Sequence, residues 1–512
     1  MSLAPQAEIS DVERETGLRR LIVEAAYSSA TTALTSGVIL TVFALYLGAS
    51  NLMIGILASA PFLSQLLQGP AILLIEHGRA RKRVAVLSSI VGRAMLAVMG
   101  VAAFLPKPAA LGIVLVAQFI LCGLGAFGGC AWNAWLRDLA PEERLGHIFA
   151  RRTAYATGVS LVAGLAAALL VDRTPVGSHW RAIAFAGLYA AGCVAGLISA
   201  AIVARIPEPM MAMRAPEDLN LRSLLREPFA DHNFRRLVGF LASWQFAINL
   251  ATPFFTVFLV RQLGFTMTFV MILSVVSQIA NLVALRSWGV LSDRFTNKSV
   301  LLVAAPTYIL CIVGMIGASQ ISHRDVASAY LVLLHLFMGA SVAGVTLGST
   351  NIALKLSPKG AATAYVATNA LVTSVAAGIA PILGGILADF FGARRLELLL
   401  RWTGPEGIIL LAPLRLSHWD FYFLLAGLLG LYALHRLGTV CEEGEIDRRE
   451  MIQQVLHQTR RTVRNLSTVA GLRAMTEIPS LFLRDARLRA RLKRARRARR
   501  MRSPEMVFDG GA

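Results

Sequence analysis

Charge is scarce in this chain. Only 16% of its 512 residues are Asp, Glu, Lys or Arg, against about 25% in ordinary soluble domains. Acids are scarcer than bases, 30 against 50, so the formal net charge is +20. Cysteine is also rare. The five residues Cys122, Cys130, Cys193, Cys311 and Cys441 show no paired spacing, which excludes a disulfide framework and a thiolate metal site. The first twenty residues lack the short apolar core of a cleavable signal peptide. No nucleotide-binding motif and no catalytic constellation emerges. Direct ATP use and enzymatic activity are therefore not expected, and no cofactor or metal is implied.

What the chain has in place of charge is apolar length. It is 56% hydrophobic with a mean hydropathy of +0.61. A transmembrane helix needs roughly 20 apolar residues with few or no charges. Ala109 to Trp135 and Val326 to Leu354 exceed that length without one Asp, Glu, Lys or Arg. Apolar runs and turn punctuation predict twelve spans, over 21–48, 52–75, 84–105, 109–136, 150–171, 180–204, 237–260, 266–288, 299–319, 326–354, 361–388 and 418–436. The fold class is all-α, a polytopic membrane protein. Glycine is frequent inside the spans, which suits close helix packing in lipid.

Orientation follows from the bases, because loops rich in Lys and Arg stay cytoplasmic. With both termini inside, the cytoplasmic connections hold most of the 50 bases, and with the basic tail set aside they still hold more than the external loops. The expected location is an integral one in a cytoplasmic or inner membrane. The last external loop runs against the trend, with Arg394, Arg395, Arg401 and Arg415.

The chain also repeats itself. An offset of 217 residues carries Glu76 onto Asp293, Leu139-Ala140-Pro141 onto Leu356-Ser357-Pro358, and Leu170-Val171-Asp172 onto Leu387-Ala388-Asp389. An offset of 216 carries Leu47-Gly48 onto Leu263-Gly264. The expected organisation is a cytoplasmic N-terminal segment 1–20, a six-helix half 21–204, a cytoplasmic linker 205–236, a second six-helix half 237–436 and a basic tail 437–512. Six spans return the chain to its starting side, so the halves are parallel repeats. That is a transporter architecture, with the substrate site near the midplane between halves.

The polar stretch between the eighth and ninth spans is specific. Gly289-Val290-Leu291-Ser292-Asp293-Arg294, followed by Lys298, resembles the signature loop of the major facilitator superfamily, with Thr296 where that signature carries a second glycine. The first-half copy has Ile72 at the glycine position, Glu76 for the aspartate, and Arg79, Arg81, Lys82 and Arg83 for the bases. Gly378 to Gly385 resembles part of the family's antiporter signature, which normally lies in the fifth helix. In the eleventh span its Gly378, Pro381, Gly384 and Gly385 read as helix-packing positions. The resemblance covers about residues 20–436.

A carboxylate at a helix end is stabilised by the N-terminus of a neighbouring helix, through its free N–H groups and dipole. In the family that neighbour is the eleventh helix. The resemblance therefore implies that Asp293 clasps its start, after Lys359, and that Glu76 clasps the fifth helix near Arg144, Arg151 and Arg152. Such clasps close the cytoplasmic side and break when the halves rock. The alternative is a topogenic loop whose charges face water.

Polar groups inside spans are expensive in lipid. Arg93 lies about ten residues into the third span and must face protein or a wet cavity. Its two readings are an anion ligand and a structural donor to carbonyls. Glu24 reads as a proton site, a ligand for a substrate cation, or an interfacial acid. His335 suits proton coupling, or a simple hydrogen bond. The resemblance adds candidates on the first, fourth, seventh and tenth helices, which line the family's cavity: Tyr27, Thr31, Trp132, Asn133, Trp244, Gln245 and Asn249. Aromatics with amides suit an amphiphilic small molecule.

Beyond the spans, Glu442 to Leu466 has the apolar spacing of an amphipathic helix. From Arg484 to Arg502, eleven of 19 residues are Lys or Arg. That run is expected to meet anionic lipid head groups, and no specific nucleic acid is implied. Two function classes stand. One is a secondary active transporter of a small molecule, working by alternating access, with proton coupling open. The other is a transporter-fold membrane protein that no longer transports and instead binds or scaffolds a partner.

Overall fold

A computed structural model describes residues 5–6, 9–139, 142–211, 227–358, 362–404 and 407–442. Twelve helices among them are long and apolar enough to cross a membrane. They are α1 (Asp11–Tyr46), α2 (Asn51–Gly78), α3 (Arg81–Ala102), α4 (Lys107–Leu136), α5 (Ile148–Asp172) and α6 (His179–Val203), then α7 (His232–Gln262), α8 (Met267–Arg294), α9 (Asn297–Gln320), α10 (Arg324–Lys355), α11 (Ala364–Phe391) and α12 (Trp419–Gly438). The protein is an integral membrane protein of the twelve-helix class, as the apolar runs predict. An even number of spans puts the start of α1 and the end of α12 on one face, the terminal face. The opposite face is the far face.

Helix starts extend beyond the apolar runs because polar residues cap them. α1 begins at Asp11, ten residues ahead of its hydrophobic stretch. The Ser10 hydroxyl accepts from the Glu13 N–H at 3.3 Å, and the Glu13 carboxylate accepts from the Ser10 N–H at 3.1 Å. This reciprocal pair satisfies two otherwise free donors. Much of the expected N-terminal segment is therefore helix. α7 likewise begins at His232, ahead of the expected 237, because Asp231 accepts from the Asn233 and Phe234 N–H groups at 2.8 and 3.0 Å.

The signature stretch and its first-half copy also differ from expectation. Asp293 and Arg294 complete the last turn of α8, and Glu76 lies inside α2. Neither is in a loop. Thr296, where the signature has glycine, takes extended backbone and caps α9, its hydroxyl accepting from the Ser299 N–H at 3.1 Å. The region between α11 and α12 is not a plain loop either. It forms an antiparallel hairpin, β1 (Arg395–Gly404) and β2 (Gly407–Ser417), paired from Arg395 opposite Ser417 to Gly404 opposite Gly407 with a register shift between Leu398 and Leu400.

Within each half the helices pack in the same order. α1 lies on α5 and α6, and α3 on α4 and α6; correspondingly α7 lies on α11 and α12, and α9 on α10 and α12. Aromatic clusters fill both halves, Phe43 with Phe185 and Tyr189 in the first, and Phe254, Trp419, Tyr422 and Phe423 in the second. Large apolar side chains such as Val162 and Leu310 stand outward, 72% and 69% exposed. Lipid, rather than water, is the solvent that makes such a surface stable.

The halves meet along two seams, α2 with α11 and α5 with α8. The α2–α11 seam is tight because small residues face it. A Cβ on Gly385 would stand 2.5 Å from the Asn51 carbonyl oxygen, and one on Gly378 would stand 2.5 Å from Leu63 Cδ2. The Pro381 carbonyl presses on Gly55 of α2, and Gly384 packs under the Tyr422 hydroxyl. The glycine-rich stretch of α11 thus lets two backbones approach, as small residues do between membrane helices.

α1 is broken in the middle of the membrane. Gly37 takes φ +60° and ψ −123°, a conformation that side chains disfavour. The helix stops at Thr35 and restarts at Val38. Irregular backbone at membrane depth is tolerated where it lines a cavity or is buried in protein.

Candidate functional site

The break in α1 borders a cavity of 340 Å³. Its lining includes Thr35 and Ser36 at the break, Glu24 and Thr31 lower on α1, Arg93 on α3 and Trp132 on α4. The lining residues come from α1, α3, α4, α5 and α6. Four sequence candidates therefore converge: Glu24, Thr31, Arg93 and Trp132.

Three charges meet in this cavity. Glu24 is 6% exposed. One of its carboxylate oxygens accepts from Arg152 Nη2 of α5 at 3.4 Å, and the other from the Ser199 hydroxyl of α6 at 3.2 Å. Arg93 donates through Nη2 to the Ser28 hydroxyl at 3.3 Å, one helical turn above Glu24. Its stem lies over Gly196, where a Cβ would stand 2.6 Å from Arg93 Cδ. Among the described residues Arg93 makes no ion pair within 4.0 Å. Arg152, expected near Glu76, instead belongs to Glu24. Nothing in the local sequence pairs two residues 128 positions apart; only the facing of α1 and α5 does.

The other candidates do not join this cluster. Tyr27 is 38% exposed, and Asn133 is also exposed. In the second half, Trp244 is buried between Phe240 and Tyr308, with ring centroids 6.4 and 6.1 Å away. The Asn249 amide donates to the Gln245 carbonyl at 2.8 Å. His335 is buried, with Nδ1 2.9 Å from the Leu331 carbonyl of its own helix. None of these second-half residues lines the cavity.

Besides the local cap Asp231, four carboxylates among the described residues reach helix N-termini from distant parts of the chain, and the sequence motifs had singled out none of them for that role. Two hold each half together at the terminal face. Glu208, after α6, accepts from the Arg81 and Lys82 N–H groups at 2.8 and 3.2 Å. Glu442, after α12, accepts from the Asn297 and Lys298 N–H groups at 3.4 and 2.7 Å and from Lys355 Nζ at 3.0 Å. Burial works against the Glu442 charge; the Lys298 N–H, Lys355 and Asn297 outweigh it and hold its carboxyl below the usual 4.5. The donors of the two caps are related by the offset of 216. Glu442 was expected to open an amphipathic helix. The rest of that stretch and the basic run 484–502 lie outside the described residues.

The other two carboxylates join the halves at the far face. Asp389, at the end of α11, accepts from the Asn51 side-chain amide at 2.9 Å and the Leu52 N–H at 3.1 Å, at the start of α2. Asp172, at the end of α5, accepts from the Met267 and Thr268 N–H groups at 3.1 and 2.6 Å, at the start of α8. Each helix start also has its own cap: Ser50 accepts from Met53 N–H, and Thr266 from Phe269 N–H, both at 3.3 Å. Arg261 adds a bond to the Ala49 carbonyl at 3.2 Å. The two aspartates are the landmark pair of the internal repeat.

At the terminal face the latch residues stand apart. Glu76, Arg79, Asp293 and Arg294 are exposed. Among the described residues neither Glu76 nor Asp293 has a hydrogen-bond or ion-pair partner. Arg79 closes α2 in the left-handed conformation, φ +45°. Gly289 has nothing within 4 Å of where a Cβ would stand. Lys298 is buried beneath the Glu442 cap. The start of the eleventh helix near Lys359 lies outside the described residues.

Comparison with known proteins agrees with this architecture. A search of curated protein sequences finds no match. Among solved structures, the nucleoside transporter NupG is similar with a TM-score of 0.62 at 13% identity, over 83% of this chain and 98% of that one. The xylose transporter XylE from E. coli is similar with a TM-score of 0.56 at 13% identity, over 86% and 99%. A bacterial homolog of the human lysosomal transporter Spinster, inward-facing and occupied, gives 0.56 at 18% identity, over 75% and 83%. At these identities the likeness establishes the fold. The profile of the Major Facilitator Superfamily matches residues 24–334 and 246–449. The chain belongs to the Major Facilitator Superfamily of secondary transporters, which work by alternating access.

Proposed function

We propose that this protein carries a small polar organic solute across a cytoplasmic or inner membrane, with both termini in the cytoplasm. The excess of Lys and Arg in the connections on the terminal face supports that orientation. The observation that carries the mechanism is the asymmetry between faces. The hydrogen bonds joining the halves gather at the far face, around Asp172 and Asp389. At the terminal face Glu76 and Asp293 are exposed, without partners among the described residues. This is the arrangement of a carrier closed outside and open inside. In the return state the far-face carboxylates let go, and Glu76 and Asp293 take up the helix ends opposite them. Carboxylate-to-helix bonds suit such switching. Each is made and broken as a unit, and each is worth about 0.3–2 kcal/mol.

The solute site in this reading is the cavity around Glu24, Thr31, Arg93 and Trp132. Two similar structures are described as transporters of a nucleoside and of xylose, and one as a D-xylose–proton symporter. Both solutes are polar and hydroxylated, which fits a cavity lined by serines and threonines. Proton coupling through Glu24 belongs to the same reading. The basic run Arg484 to Arg502 adds a membrane contact, through anionic head groups on the cytoplasmic side. The test is counterflow in sealed proteoliposomes with pooled radiolabelled metabolites. Saturable, ATP-independent exchange of a solute is expected. Retention of every solute at background rates, by protein whose folding is verified, contradicts transport and favours a binding or scaffolding role.

A further inference from the structure

We infer that the cavity of the first half takes a small organic acid, whose anionic group is bound by Arg93 beside the Glu24–Arg152 pair. The inference rests on the cavity being the solute site. Its first support is charge. The cavity holds two guanidiniums and one carboxylate, so with all three ionised it carries one uncompensated positive charge. Glu24 is committed to Arg152 and Ser199. Arg93 interacts with that carboxylate only through space, so it is the guanidinium left without an ion pair among the described residues.

The second support is hydrogen-bonding capacity. A guanidinium has five N–H donors in a fixed planar fork that matches a carboxylate. The described bond of Arg93 uses one of them, to a neutral hydroxyl at 3.3 Å. A cation held inside a membrane span is costly unless paired or solvated. Arg93 lies too deep in α3 to reach the interface, and Gly196 gives its stem room to lie flat across α6. The side chain is thus positioned, and its charge is open to the cavity. An anion entering there gains a charge-assisted bond, roughly twice as strong as a neutral one.

The third support is size. The 340 Å³ space is far larger than an inorganic monoanion and falls within the range of small-molecule sites, about 300–1,000 Å³. Its hydroxyls, with Trp132 at the rim, offer partners to the body of an organic acid. One positive charge is matched by one carboxylate; a neutral or cationic solute leaves Arg93 uncompensated.

The experiment uses the full-length protein purified in detergent. Thermal shifts are measured with matched sets of acid, primary amide and primary amine on one carbon skeleton: benzoate, benzamide and benzylamine; lactate, lactamide and 1-amino-2-propanol; nicotinate, nicotinamide and 3-picolylamine. At least one acid is expected to raise Tm in a saturable way, with no comparable shift from its amide or amine. Arg93→Gln is expected to abolish that shift, and Arg93→Lys to weaken it by about tenfold in apparent Kd, because the charge remains and the fork is lost. Equal shifts from amide or amine, an undiminished acid shift in Arg93→Gln, or no shift from any acid overturns the proposal. Should Arg93→Gln not fold, the acid-against-amide comparison on the unaltered protein and the Arg93→Lys variant carry the test. Binding in detergent is independent of flux. An acid that binds through Arg93 but never crosses a proteoliposome contradicts the transport reading and leaves the anion site standing.

Discussion

Single carboxylates decide what is fixed in this molecule and what moves. Glu208 and Glu442 cap helices of their own halves, and Asp172 and Asp389 cap helices of the opposite half. The chemistry is the same in all four: a charged oxygen at the free N–H groups of a helix start. Glu442 gives this a pH signature. Its folded pKa lies below 4.5, so its contribution is fully present above 4.5 and is lost as pH falls through the lowered folded value. Tm measured against pH should therefore fall more steeply below pH 4.5 in the unaltered protein than in Glu442→Gln. Glu442→Gln should also be less stable at pH 7, by about 1–2 kcal/mol. Superimposable pH profiles for the two proteins contradict the capping role.

Residue-scale chemistry was only partly legible in the sequence. Glu24, Thr31, Arg93 and Trp132 stand out as polar groups in apolar surroundings, and the fold brings them to one cavity. Arg152 was legible as a base near a helix start, but its partner was not. Pairing across 128 residues depends on how α1 and α5 face each other, and periodicity in an apolar span does not fix that. The aspartates of the far face appeared only as landmarks of the repeat. Their role needs the neighbouring helix, which lies in the other half.

At the scale of elements, the α2–α11 seam sets how tightly the far side closes. The glycines there remove side chains so that the Pro381 carbonyl can reach Gly55 and the Asn51 carbonyl can reach Gly385. A branched side chain at 385 cannot fit, since its Cβ alone would stand 2.5 Å from the Asn51 carbonyl oxygen. Overpacking of this kind costs about 1–3 kcal/mol, and the halves can relieve it by parting at the far face. Gly385→Leu should therefore raise the rate at which a membrane-impermeant thiol reagent labels a cysteine placed at Ser50, several-fold over the same cysteine with Gly385 retained. Unchanged labelling contradicts the seam's role in closure.

The twelve spans themselves were legible because membrane insertion demands an apolar run that soluble helices do not need. Their starts were less so, since caps such as Ser10 and Asp231 extend helices into polar sequence. The hairpin of β1 and β2 was hidden for a different reason. Its arginines drew attention as loop charges, and among the described residues its strands pair with each other.

For the whole molecule, the internal repeat is the machine. An offset of 216 relates the donors of the terminal-face caps and the caps at the starts of α2 and α8, and one of 217 relates the aspartates that bind across the halves. A single structural unit, used twice in parallel, yields two clasps on one face and two latch acids on the other. In the proposed mechanism Asp172 and Asp389 hold the far side closed and so bias the carrier toward the open terminal face. Removing both negative charges weakens two helix-end bonds by about 0.3–2 kcal/mol each. Together that moves the equilibrium by about threefold to several hundredfold.

The most direct test is a pair of distance measurements by pulsed electron resonance in nanodiscs, on protein whose native cysteines are replaced. One spin-label pair spans the far face, at Val176 and Ala393; the other spans the terminal face, at Arg83 and Leu354. The unaltered protein should show a short, narrow far-face distance and a long terminal-face distance. Asp172→Asn with Asp389→Asn should populate a second state in which the far-face distance lengthens and the terminal-face distance shortens together. Distance distributions that the double substitution leaves unchanged at both faces contradict the account.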